Sequence, residues 1–124
     1  MSQKRLMKTI KIEKIFGDLQ KIDILAETKT GEIVMVLVCN GLIDGSPETQ
    51  TALLDKIEGY LNYIRSVKFQ KEYGDRPVLL RVTLGREPDE RILSLLSKCQ
   101  PWAKDYGIKL AFEIGGKQVR IAES

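Results

Sequence analysis

Asp23, Glu27 and Lys29 are a set of residues whose types could serve a reaction. Two carboxylates and a lysine are the set with which metal-dependent nucleases hold and use a divalent ion. That chemistry needs the carboxylates on neighbouring strands, so that both reach one ion. Here Asp23 and Glu27 fall on a single strand and Lys29 in the turn after it, which reads as a polar strand edge. The cysteines, Cys39 and Cys99, are too few and too far apart for a disulfide framework or a metal pattern, and read as small buried hydrophobes. The chain holds no histidine. Histidine triads, Cys–His dyads and His-ligated zinc are thereby excluded, and acid–base work would fall to carboxylates, Lys, Tyr or Cys.

Residues 41–46, Gly-Leu-Ile-Asp-Gly-Ser, precede a helix and could offer backbone donors to an anion. They lack the spacing and the lysine of a phosphate loop, and Asp44 and Glu48 would repel phosphate, so a capped loop is the reading. Gly115-Gly116-Lys117 is likewise a hairpin turn. Tyr60, Tyr63, Phe69 and Tyr73 form an aromatic stripe near Lys68, Lys71 and Arg76. Stacking plus charge is how single strands of nucleic acid are bound, but Glu72 and Asp75 dilute that field, and a core margin is the reading. No catalytic, cofactor-binding or metal-ligating residue is assigned, and no cofactor is expected.

The elements that would position these residues follow from periodicity. Residues 19–27 alternate, with Ile22, Ile24 and Ala26 on one face, and Thr28-Lys29-Thr30-Gly31 turns the chain into a second strand, Glu32–Cys39. Gly31 supplies the positive φ of a type I turn with a G1 bulge. That second strand is apolar on both faces, which places it mid-sheet with cover above and below. Ser46-Pro47-Glu48 starts a helix with an N-cap, a first-turn proline and an acid against the dipole. Its apolar stripe is Leu53, Leu54, Ile57, Leu61 and Ile64, with Lys56 assigned to the solvated face and the end fraying through 68–72. A third strand at 77–84 leads to a helix opened by Pro88-Asp89-Glu90, in which Pro101 predicts a kink or break between Cys99 and Trp102. Ile108, Leu110, Phe112 and Ile114 make a fourth strand, and Val119 and Ile121 allow a short return.

The order is β-β-α-β-α-β with an optional short strand at each end. It predicts a two-layer α/β (α+β-like) sandwich on a mixed sheet. Residues 1–16 read as a basic arm or short strand and 17–124 as one domain. Right-handed crossovers put both helices on one side of the sheet.

The run Leu53-Leu54-Asp55-Lys56-Ile57-Glu58-Gly59-Tyr60-Leu61-Asn62-Tyr63-Ile64, with the Thr30-Gly31-Glu32 turn before it, resembles a family of small bacterial proteins of unknown function. Its pattern is a hairpin with a TGE-like turn, then a helix reading L-x-K-I-x-x-Y-L-x-F-I, then strand, helix and strand. The likeness covers about residues 22–112. The chain departs from it in having Asn40-Gly41-Leu42 where the family has a tryptophan after the second strand. The resemblance implies the fold and a bacterial cytosolic setting, and carries no catalytic residue.

Composition agrees with a folded domain: 43% of residues are hydrophobic and 30% charged. No apolar run approaches the roughly 20 residues of a membrane span, and the lysines near the start interrupt any signal-peptide core, so the cytoplasm is the expected setting and no membrane partner is expected. The net charge of +3 is uneven. Lys4, Arg5, Lys8, Lys11 and Lys14 face only Glu13 in the first fourteen residues, which leaves the rest nearly neutral.

These features lead to a non-enzymatic interaction module that self-associates as a homodimer. Leu25, Ile33, Met35 and Leu37 are the candidate interface on a sheet face the helices do not reach. One alternative is a nucleic-acid-binding protein using the basic arm, through Lys4, Arg5, Lys8, Lys11 and Lys14. The other is a small carboxylate-dependent enzyme.

Overall fold

The computed structural model describes residues 12, 14–17, 22–41, 43–74 and 76–122. Its elements are β1 (Ile24–Glu27), β2 (Ile33–Cys39), α1 (Pro47–Arg65), α2 (Val67–Tyr73), β3 (Val78–Leu84), α3 (Glu90–Asp105), β4 (Ile108–Ile114) and β5 (Lys117–Val119). Residues 14–16, ahead of them, are helical. The five strands lie in sequence order. The inner pairs β2–β3 and β3–β4 are parallel, and the outer pairs β1–β2 and β4–β5 antiparallel. This is the mixed-sheet, two-layer α+β sandwich that the element order predicts.

The β1–β2 hairpin turns as expected. Gly31 N donates to Thr28 O at 3.0 Å, Gly31 has φ +88°, and Thr28 N reaches Glu32 O at 2.9 Å. A residue with a Cβ rarely adopts that conformation, which is why glycine stands there. α1 starts at the Ser46 cap, whose Oγ accepts from Thr49 N at 3.3 Å. It ends at Ser66 instead of fraying. Ser66 is extended, and its hydroxyl donates to Tyr63 O at 2.6 Å while accepting from Phe69 N at 3.2 Å. One serine thus closes α1 and opens α2.

α3 runs unbroken through Pro101, so the expected break is not there. The proline is exposed and sits in the last turns, where its ring meets solvent and only the Ser97 carbonyl loses its helical donor. At the far ends of α1 and α3, the Arg65 guanidinium lies 3.8 Å from the Tyr106 ring centre and donates to Asp105 O at 3.0 Å.

Between the layers lies one core. Ile33, Met35 and Leu37 are fully buried there with Leu53, Ile57, Leu61, Leu80, Val82, Ile92 and Leu96. The expected interface is therefore corrected. Leu25 pairs with Met35 and so shares the helix side, half-buried against the core. Register explains the difference. The residues of β2 facing the helices are those in line with Val78, Leu80 and Val82 of β3, and both parities of β2 are apolar, so its own sequence does not reveal the phase. The opposite face carries Val34, Val36 and Val38 beside Leu79, Arg81 and Thr83. Ile15 and Phe16 are also buried, so the core reaches back at least to residue 15, two positions before the boundary suggested by composition.

Candidate functional site

Lys56 is the one fully buried cation among the described residues. It lies three residues after Leu53 and four before Tyr60, which puts it on the buried stripe of α1, not on the solvated face. Its Nζ donates to Phe16 O and to Asp23 Oδ1, both at 3.0 Å. Asp23 keeps a 21% exposed side chain, and its Oδ2 accepts from Val38 N at 3.0 Å. One turn further along α1, the Tyr60 hydroxyl accepts from Asp23 N at 2.8 Å and donates to Val36 O at 3.0 Å. An ammonium out of water is tolerated only where charge and hydrogen bonds surround it, and this node provides both.

Cys39 ends β2 beside the node. Burial pushes its thiol up to about 12, the Asp23 carboxylate adds to that, and Lys56 opposes it. Cys99 is raised to about 11 by burial. Both thiols are free and buried, as the sequence suggests, and a thiol held protonated is a poor nucleophile. Burial also raises the Tyr60 phenol. Both hydrogen-bonding roles of that hydroxyl are taken by backbone, so it has no capacity left for a substrate. The node fixes where residue 16 and the start of β1 sit against α1.

The nuclease-like set separates. Asp23 goes to Lys56, Glu27 pairs with Arg76 across the surface, and Lys29 lies in the exposed turn. Among the described residues no group of acids and cysteines could hold a metal ion.

Crevices at the carboxyl ends of parallel strands are where open α/β sheets usually bind ligands. Here the two crossover loops pack on each other instead. Asp89 N donates to Ile43 O at 3.0 Å and Gly85 N to Cys39 O at 3.3 Å. A Cβ on Gly45 would lie 2.3 Å from Arg91 Nε. Asp44 Oδ1 accepts from Ser46 N at 3.1 Å, Ser46 Oγ at 2.7 Å and Thr49 Oγ1 at 2.8 Å, so a carboxylate already sits where the loop could have taken an anion.

Phe69 is buried, with its ring centre 5.4 Å from Tyr63 and 4.9 Å from Tyr73, so these aromatics are the margin of the core. Of the basic-arm residues only Lys14 is described, exposed at the start of helical residues 14–16; Lys4, Arg5, Lys8 and Lys11 lie outside the described residues.

Sequence reasoning missed the node. The signal was available in the spacing of Lys56 to Leu53 and Tyr60. No helix among the described residues is long and apolar enough to cross a membrane. No curated protein and no solved structure matches the chain. The family of unknown function DUF6572 matches residues 15–116, and the chain belongs to that family.

Proposed function

We propose that this DUF6572 protein is a non-enzymatic interaction module that self-associates through the sheet face turned away from its helices. One observation carries the reading. Val34, Val36 and Val38 of β2, flanked by Leu79, form an apolar stripe at mid-sheet on the face turned away from the core cluster, with Val34 buried and Val36 and Val38 half-buried. The C-terminal tail and helical residues 14–16 lie on the helix side, where Ile121 and Ala122 meet α3 and Ile15 meets the end of β2. An apolar strip central in a sheet gains most from being covered. The polar flank of the same face is self-complementary, since Arg81 and Glu113 carry opposite charges. A twofold axis crossing the valine stripe perpendicular to the strands would bring each near the other in the partner copy. The sealed lysine and the protonated thiols support a binding role over a catalytic one.

Light scattering on the full chain tests this. A dimer is expected at about 100 μM, well above the micromolar constants of modest interfaces. Val36→Glu places a carboxylate in the middle of the stripe and should give a monomer with an unchanged circular dichroism spectrum. A wild-type monomer at that concentration overturns the reading.

A further inference from the structure

The β4 edge of the sheet is only half closed. β5 is three residues long and pairs Phe112 with Val119, Glu113 with Gln118 and Ile114 with Lys117. The Ile114–Lys117 pair closes a two-residue turn, so it and Phe112–Val119 are hydrogen-bonded pairs. The odd-numbered residues of β4 aim their peptide groups at β3, a series that Gly115 continues by donating to Leu84 O at 2.9 Å. By the same alternation the peptide groups of Ile108 and Leu110 point outward, where no strand of the described residues meets them.

Beyond Val119 the chain leaves β4 and crosses to α3. Gln100 Nε2 donates to Ile121 O at 2.9 Å, and Ser97 Oγ donates to Ala122 O. A cleft of about 490 Å³ lies between β4 and this departing tail. Leu110, Phe112, Val119 and Ile121 line it, and Lys109 and Arg120 stand exposed on its rim. Among the described residues no acidic side chain lines it.

We propose that this cleft binds an extended acidic peptide by strand addition to β4. The peptide backbone pairs with the outward groups of Ile108 and Leu110, over about 13 Å at ~3.3 Å per residue. Lys109 and Leu110 project from opposite faces of the strand, so the best-matched sequence alternates acidic and aliphatic residues. The basic rim selects against basic strands, including another copy's β4, whose own Lys109 would enter a field of like charge. This edge is distinct from the valine face, and the proposal does not depend on the dimer.

The test is fluorescence polarisation of the full chain with a labelled short peptide alternating glutamate and valine, and with its lysine–valine counterpart. The glutamate peptide should bind about tenfold more tightly, as two surface charges changing from attraction to repulsion imply. The double variant Lys109→Glu with Arg120→Glu alters two exposed side chains and should reverse the preference while leaving the melting temperature unchanged. In amide spectra the Leu110 N–H signal should move on binding. The same peptide should bind the Val36→Glu variant equally well. Equal affinity for both peptides, no binding by about 1 mM, or amide shifts confined to residues 34–38 would each overturn the proposal.

Discussion

The two flanks of the sheet are both antiparallel hairpins on a parallel core, yet they end in opposite ways. On the β1 side, the strand is tied to α1 through charge and hydroxyl: Lys56 holds Asp23, and Tyr60 bridges Asp23 N to Val36 O. On the β5 side, no charge is buried among the described residues. The strand stops after three residues, the outer edge of β4 before Phe112 meets no strand among the described residues, and the tail is held to α3 by hydrogen bonds from the neutral side chains of Ser97 and Gln100. The first flank is fixed by groups that cannot be left alone in the core. The second is fixed by groups that water could replace. A polar contact restrains a strand according to what happens to its partners once it is broken.

The strongest way to break this contrast is to strand the buried cation. Asp23→Ala removes the carboxylate beside a lysine with no exposure and should destabilise the fold by about 3 kcal/mol, as for other broken buried pairs. Urea denaturation measures it, and a loss below about 1 kcal/mol would show that the node is no tighter than a surface pair.

An intermediate effect is expected from alkali. The Cys39 thiol, ordinarily near 9, is held at about 12 in the folded chain. Below pH 9 both states keep the proton and it contributes no pH dependence. Between about 9 and 12 the unfolded chain loses it while the folded chain retains it, so stability falls as pH rises. The urea midpoint should decline over that range, and Cys39→Ala should flatten the decline. A slope unchanged by that substitution would assign the effect to other groups, Tyr60 among them. For the same reason, thiol-reactive dyes at pH 8 should label the protein only as fast as it opens.

The smallest effect belongs to the other flank. Gln100→Ala frees Ile121 O, which can turn to solvent, and should cost about 0.5–1 kcal/mol. Hydrogen exchange at Val119 should rise while that of Val38 stays protected. If this loss matched that of Asp23→Ala, the two flanks would be held equally and the contrast would fail.

Much of the framework was legible because local chemistry fixed it. Gly31 dictated the first turn, the Ser46-Pro47-Glu48 run dictated the start of α1, and alternation from Ile108 to Ile114 dictated β4. What stayed hidden depended on distant partners. Lys56 reads as solvated by type, since lysine is almost never fully buried without a partner. Its partners, Asp23 and Phe16 O, lie 33 and 40 residues away. The phase of β2 stayed hidden because valine on one face and isoleucine, methionine and leucine on the other are equally apolar. Only the pairing with β3 separates them. α2 went unseen because Ser66 was not read as a cap, although Phe69 follows it at the spacing of an N-terminal turn.

The shared serine between α1 and α2 also bears on how this chain can change in length. Two helices that meet at a single residue leave no slack between them. Inserting one residue there turns everything after it by about 100°, given 3.6 residues per turn, and carries Phe69 away from Tyr63. The exposed turn at Lys29-Thr30 has no such phase to keep. Natural length variants are therefore expected to gather at that turn and to spare the junction.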